Sequence, residues 1–137
     1  MNNLRARIKE KRKQLSDESL NLLGNDILKN IQGSISFEDH ERISTYFSMN
    51  NEADTSELNN YLWDINKHLF LPKIKQDTLL FSSYSKDQKL SLNDYGIPEP
   101  EHNDEKSIQA EQFDLMFIPL VAFDSKCNRI GMGGGYY

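Results

Sequence analysis

The chain is poor in the residues that build covalent or metal-centred sites. Cys127 is the single cysteine among 137 residues. That excludes an internal disulfide and a cysteine-cluster metal centre, and it reads as a reduced thiol near a turn. His40, His68 and His102 lack metal-ligand spacing and are expected at the surface. No run of about 18 apolar residues occurs, so no membrane-spanning helix is expected. The basic N-terminus has no apolar stretch behind it, which argues against a secretory signal and for the cytoplasm. Apolar residues make up only 37% of the chain and charged residues 27%. Internal repeats and low-complexity segments are absent, and the length fits one domain, 1–137.

What is present is unevenly distributed. The net charge is −5, yet residues 1–13 hold six of the sixteen Lys and Arg and one acid, Glu10. An acidic body argues against nucleic acid as a partner, whereas a basic end suggests a local anion site. Residues 3–15 read as a helix in which Arg5, Lys9 and Arg12 form one basic stripe; apart from Arg5, that stripe reads as a solvated face. Ser16 is a candidate N-cap with Asp17 and Glu18 in the first turn. The helix that follows would bury Leu20, Leu23, Ile27 and Ile31 and stop at Gly33.

Residues 41–48 alternate Ile43, Thr45 and Phe47 on one side, as a strand does. The stretch from Asp54 to Glu57 resembles a capping box, and Leu58, Leu62 and Ile65 mark the buried face of a third helix. Residues 69–73 form an apolar strand ended by Pro72, 78–83 a further strand, and 88–92 a fourth. Residues 95–100 read as an extended loop because of Pro98 and Pro100. Residues 103–111 are polar with some helix, and 114–119 form a nearly continuous apolar strand. Helices between apolar strands give an α/β sandwich with a mostly parallel sheet. Ligands of such sheets bind beyond the carboxyl ends of the strands, so the loops after Phe47, Leu71 and Pro119 should share one edge.

After a bend at 120–128, residues 131–135 hold four of the seven glycines. Ordering so much glycine costs backbone entropy, which suits a place where N–H groups approach a phosphate. No Gly-Lys-Ser/Thr follows, so it is not a Walker A loop, and Tyr136 stands where G-x-G-x-x-G needs its third glycine. A flexible glycine-rich tail is the competing reading.

Taken in order, these pieces resemble the 5-formyltetrahydrofolate cyclo-ligase (5,10-methenyltetrahydrofolate synthetase) family. They are Leu4-Arg5, Tyr46-Phe47-Ser48 with Glu52 and Thr55, Leu71-Pro72-Lys73, and Tyr95 to Pro100. Asp114, Ile118-Pro119, Ala122-Phe123-Asp124 and Arg129-Ile130-Gly131-x-Gly133-x-Gly135-Tyr136-Tyr137 complete the series. The resemblance implies a three-layer sandwich with a Rossmann-like sheet. It implies ATP- and Mg²⁺-dependent conversion of 5-formyltetrahydrofolate to 5,10-methenyltetrahydrofolate, with no protein nucleophile, in a monomer. It implies that Arg5, Arg129, Ile130, Gly131, Met132, Gly133, Gly134, Gly135, Tyr136 and Tyr137 contact ATP. It further implies that Phe47 and Glu52, with Met132, Gly133, Gly134, Gly135 and Tyr136, face folate. Tyr95 is a candidate for a place near the folate and Phe123 is a candidate wall, with core or loop packing the alternative for both. Lys73 is a candidate phosphate contact or a solvated side chain, and Trp63 is assigned to the core.

The sequence departs from the family in two places. The family's nucleotide-contacting lysine falls on Met1. The family also continues past the Tyr-Tyr pair with a magnesium-binding Asp and further helix and strand. The last strands of the sheet are therefore expected to be missing, no metal ligand is assigned within 1–137, and this polypeptide is expected to be weak or inactive. The alternatives are a non-catalytic folate- or nucleotide-binding module and a sugar-phosphate- or CoA-transferring enzyme of similar fold.

Overall fold

The computed structural model describes residues 2–100, 107–132 and 137, with Asn2 in its backbone only. Three helices, α1 (Asn2–Lys13), α2 (Asp17–Ser34) and α3 (Ser56–Asp64), accompany eight strands. The strands are β1 (Arg42–Ser44), β2 (His68–Lys75), β3 (Thr78–Ser83), β4 (Leu90–Leu92), β5 (Pro98–Pro100), β6 (Leu115–Met116), β7 (Ala122–Phe123) and β8 (Arg129–Ile130). The central sheet has the order β3-β2-β1-β6, with β4-β5 and β7-β8 as two separate pairs. β1 runs parallel to both β2 and β6, and only β3 is antiparallel. The α/β class and the mostly parallel sheet flanked by helices thus follow the sequence reading. The expectation for 103–106 lies outside the described residues.

The core joins α2 and α3 to the sheet through Phe37, Ile43, Leu58, Leu62 and Leu69, with Leu28, Ile31 and Leu115 packed around them. Trp63 belongs to this layer: its ring meets Tyr84 edge-on at 4.9 Å, and Nε1 donates to the Tyr84 carbonyl. β6 is aligned by Asp114, whose Oδ2 accepts the backbone N–H groups of Arg42 and Glu41. Those two bonds hold its carboxyl below the usual carboxylate range.

Several local expectations are corrected. α2 does start on Ser16, which accepts the Ser19 N–H. However, Leu23 and Ile27 are exposed, and the inward face runs through Leu20, Gly24, Leu28 and Ile31. Gly24 decides the rotation. It is buried against the Asp54 carbonyl, where any Cβ would collide, while the Asp54 N–H donates to the Leu20 carbonyl. The capping box does not form: Thr55 Oγ1 donates to the Tyr46 carbonyl, and Asp54 Oδ1 accepts the Ser56 N–H.

β1 is shorter than expected and does not alternate, because Ile43, Ser44 and Thr45 are all fully buried. Phe47, placed on the inner face by a period of two, is exposed. Pro72 does not end β2, which continues to Lys75. Pro72 faces Phe81, whose N–H and C=O turn away to Ile108, so no ladder bond is lost at the proline. The same logic admits β5 inside the expected loop. The Asn93 N–H bonds the Ile97 carbonyl, so Pro98 and Pro100, opposite Leu92 and Leu90, stand at non-hydrogen-bonded positions. The polar bend at 120–128 is a β7-β8 hairpin whose turn is held by Asp124, with Cys127 at φ 63.

Candidate functional site

β1 delivers its chain to the carboxyl edge of the sheet. Beyond Ser44, Thr45 stays buried and its hydroxyl donates to Asn59 Oδ1 at 2.7 Å. Tyr46 and Phe47 then leave the sheet. The chain reverses over Met49-Asn50-Asn51-Glu52, with the Glu52 N–H bonded to the Met49 carbonyl. Asn50 and Asn51 have positive φ (53 and 57), a region that asparagine tolerates better than most residues. The turn closes on itself, because Glu52 Oε1 accepts the Met49 N–H at 3.1 Å. The other oxygen, Oε2, is buried and has no hydrogen-bond partner among the described residues.

Glu52 is part of the wall of a cavity of about 610 Å³. The volume lies in the range of small-molecule sites. The cavity is bounded by the three edges anticipated from the sheet: Phe47 after β1, Leu71 and Pro72 in β2, and Pro119 after β6. Arg5 enters from α1; Arg129, Gly131, Met132 and Tyr137 close one side; and Tyr95, Ile97 and Pro98 form an apolar opposite side. The sequence-assigned Arg5, Phe47, Glu52, Arg129, Gly131, Met132 and Tyr137 therefore meet at one place. Ile130 stands behind them, its carbonyl accepting the Val121 N–H. Gly133, Gly134, Gly135 and Tyr136 lie outside the described residues.

Helix α1 straps this region to the rest of the fold. Arg5 Nε donates to the Gly131 carbonyl at 3.0 Å, and Lys9 Nζ to the Met132 carbonyl at 3.2 Å. Arg12 reaches the carbonyls of Asn50, Asn51 and Leu120. The stripe is thus not a solvated face, because each of its side chains donates to loop carbonyls. Arg129 Nη1 donates to the Pro119 carbonyl, and its guanidinium lies 5.9 Å from the Tyr137 ring centroid.

Burial shapes the electrostatics. Desolvation raises the Glu52 carboxyl above its ordinary value; the Met49 N–H and the Arg12 charge pull it down again but do not cancel the rise. Tyr46 is pushed up to about 12, first by burial and then by the Glu52 charge, with Arg12 opposing. Tyr137 is raised by burial, Glu52 and Tyr46, against Arg129. The site is therefore a partly desolvated carboxylate beside apolar walls, with guanidinium groups and Gly131 and Met132 in the same lining.

Two candidates fall elsewhere. Phe123 is 74% exposed on the β7-β8 hairpin and does not line the cavity. Lys73 is neither solvated nor in the cavity; it is buried, 7% exposed, in β2. Tyr95 lines the cavity although it is 65% exposed. Sequence reasoning missed Tyr46, Asn93 and Glu99. Glu99 Oε1 accepts both the Ile74 N–H and Asn93 Nδ2, a contact between strands that no local pattern announces.

Among the described residues, no three His, Cys, Asp or Glu side chains converge on a metal position. The cavity carboxylates, Glu52 and Glu99, come from separate elements, and each already accepts backbone N–H. The described residues do not fit a protein-held magnesium ion. No helix among them is long and apolar enough to cross a membrane.

Comparison with known proteins gives this geometry a family. The chain is 42% identical over 100 residues to the 5-formyltetrahydrofolate cyclo-ligase of Haemophilus influenzae, covering 71% of this chain and 54% of that protein. The mouse 5-formyltetrahydrofolate cyclo-ligase is 26% identical over 98% of this chain and 70% of its own length. The chain thus spans about half the length of its bacterial relative. The NMR structure of Aquifex aeolicus 5,10-methenyltetrahydrofolate synthetase superimposes with a TM-score of 0.83 at 28% identity, over 99% of this chain and 69% of that one. A Mycoplasma pneumoniae 5,10-methenyltetrahydrofolate synthetase shares the fold with a TM-score of 0.76 at 24% identity, over 99% and 73% respectively. A model of the 5-formyltetrahydrofolate cyclo-ligase family matches residues 1–137, and this chain belongs to that family.

Proposed function

We propose that this protein closes 5-formyltetrahydrofolate to 5,10-methenyltetrahydrofolate and consumes ATP in doing so. The observation that carries the reading is Glu52, which lines a cavity together with Phe47, Gly131 and Met132 and whose buried Oε2 has no hydrogen-bond partner among the described residues. An ionised carboxylate there accepts N–H bonds from a pterin-like ring, and Phe47 packs on that ring.

In the proposed reaction the formyl oxygen attacks the γ-phosphorus of ATP. An O–P bond forms, the bridging P–O bond breaks, and ADP leaves with the electron pair. N10 then attacks the activated carbon and loses its proton, and the C–O bond breaks to release phosphate. Such a sequence needs positioning and charge neutralisation rather than a protein nucleophile. Arg5 and Arg129 supply positive charge, the backbone N–H groups of 131–135 supply the phosphate cradle, and Tyr137 supplies a ring face. No step is assigned to magnesium.

The test is the growth of methenyl absorbance when ATP is added to 5-formyltetrahydrofolate and the chain extended by the family's continuation past Tyr137, with ADP and phosphate formed in equal amounts; the 137-residue chain beside it should turn over weakly or not at all. Folate binding without ADP release by the extended chain overturns the enzymatic reading in favour of a binding module.

Gly131→Ala separates phosphate binding from folding. A Cβ at Gly131 meets the Arg129 guanidinium, with Nη1 at 3.0 Å, and none of its three nearest contacts is backbone. Thermal stability should therefore change by less than about 0.5 kcal/mol. Nucleotide affinity should fall by roughly tenfold, about 1.4 kcal/mol, if the added methyl holds the phosphates off the loop. Equal ATP affinity in the variant and the parent protein, measured calorimetrically, removes the cradle from the proposal.

A further inference from the structure

Three features of Arg12 stand outside the roles assigned so far. Its guanidinium bonds three backbone carbonyls from two loops: Nε to Asn51 at 3.3 Å, Nη2 to Asn50 at 3.1 Å and Nη1 to Leu120 at 3.4 Å. Its own carbonyl accepts Asn51 Nδ2 at 2.7 Å, so Arg12 and Asn51 grip each other from both ends. The residues it grips are the two with positive φ in the turn that presents Glu52. Two consecutive left-handed residues form a turn that asparagine suits, and Gln76-Asp77 between β2 and β3 forms another. Arg12 adds outside bonds to both central carbonyls of the 49–52 turn: a planar fork of five donors suits several fixed carbonyls where an ammonium does not.

We propose that Arg12 is a positioning residue that locks the 49–52 turn and so aims the Glu52 carboxylate into the cavity. This rests on the reading of Glu52 as the ligand-binding carboxylate. It extends that reading to a residue that does not itself line the cavity. The Leu120 bond adds a link between the loop after β6 and the loop after β1, so the two edges of the site move as one. The guanidinium also sits close enough to lower the Glu52 carboxyl against the desolvation that raises it. Around Glu52 stand Arg5 and Arg12 of α1, Tyr46 after β1, Arg129 of β8, Tyr137, and Glu99 of β5 across the cavity. Of the cations, Arg12 acts on Glu52 directly, and Arg129 acts on Tyr137.

The test uses two reporters in the ligand-free protein. The Met49 amide donates to Glu52 Oε1, so its ¹⁵N shift follows Glu52 ionisation as pH is varied. The Glu52 amide donates to the Met49 carbonyl, so its hydrogen exchange follows closure of the turn. In Arg12→Gln the Met49 titration midpoint should move up by about one pH unit, because a cation that favoured the charged form is gone. In Arg12→Lys the charge remains and the midpoint should stay within about 0.3 of a unit of the parent. The fork is lost, however, so Glu52 amide exchange should still quicken by roughly tenfold. An unmoved midpoint in Arg12→Gln, or unchanged Glu52 exchange in Arg12→Lys, overturns the proposal. If Arg12→Gln fails to fold, the exchange measurement on Arg12→Lys decides alone. If both reporters respond as stated but 5-formyltetrahydrofolate does not perturb the Met49 amide of the parent protein, the proposed function fails and the role of Arg12 stands.

Discussion

Glu52→Gln should cost the protein its folate affinity while leaving the fold at least as stable as before. The two effects have one cause. Glu52 Oε2 is buried without a partner among the described residues, and its carboxyl is raised by desolvation. A carboxyl whose folded value lies above its unfolded value binds its proton more tightly in the native state. Its contribution to stability therefore falls as pH rises from the ordinary glutamate range through the raised value, and the whole penalty is present above that raised value. Glutamine keeps an oxygen to accept the Met49 N–H and removes the charge. At pH 7 the variant should melt no lower than the parent, with a gain of up to about 1 kcal/mol. Its stability should also lose the dependence on pH that Glu52 contributes across that window.

Ligand binding should move the other way. An ionised oxygen facing N–H donors gives charge-assisted bonds worth roughly 1.5–3 kcal/mol, and an amide turned to keep Met49 presents its own NH₂ to those donors. The expected loss is about 10–150-fold in 5-formyltetrahydrofolate affinity. In the parent protein, affinity should decline as pH drops through the raised Glu52 value, and in the variant that acidic limb should be absent. Titration calorimetry from pH 5 to 8 reads both. Parent-like affinity in Glu52→Gln would remove this carboxylate from the site and with it the main support for the folate reading.

The residues that gather at the cavity were named through the ordered resemblance to the family, not through local chemistry. Taken alone, the glycine-rich segment reads equally as a flexible tail, and Glu52 reads as a surface loop acid. The sheet edge follows from topology once helices and strands alternate. The misreadings came from positions where tertiary contacts outrank local pattern. Phe47 was placed by a period of two, which presumes one wet face; β1 is flanked on both sides by parallel strands and is buried on both faces, so the period carries nothing there. On α2, two apolar stripes compete, and hydrophobicity favours the one through Leu23 and Ile27. The winner runs through Gly24, because only a glycine lets the helix approach the Asp54 carbonyl. Arg12 looked like any solvated cation. Its partners lie 38, 39 and 108 residues away, and nothing local to α1 marks carbonyls that face it. Pro72 was read as a stop, yet an antiparallel pair has sites where an N–H is not needed.

Phe81→Ala should be the most damaging single truncation outside the site, and the reason lies in how β3 carries the segment that leads to β6. Phe81 is 1% exposed. Its N–H and C=O both bond Ile108, at 3.1 and 3.0 Å, holding the chain before β6 against the sheet edge. Its ring meets Phe113 edge-on at 4.8 Å, and Phe113 meets Phe70 in the same way at 5.3 Å. Three rings from β2, β3 and the approach to β6 thus form one ladder, on the face that Phe70, Pro72 and Phe81 share. Truncation leaves a cavity that the fixed backbone bonds prevent from closing, so the loss should be roughly 3–5 kcal/mol. For a chain of this size that corresponds to a fall in Tm of about 10–20 °C. Phe113→Ala removes the same ring pair from the other side, so the double variant should lose less than the sum of the two single losses, by about 0.5–1.5 kcal/mol. Phe81→Leu, which refills most of the space, should recover about half of the stability. Because β6 pairs with β1 and the chain beyond it supplies Pro119 and Leu120, the Ala variant should also loosen the cavity edge before it unfolds. Thermal scans of the four proteins decide the matter: a Tm loss below about 2 °C in Phe81→Ala, or strict additivity with Phe113→Ala, means that the ladder does not hold the sheet edge in place.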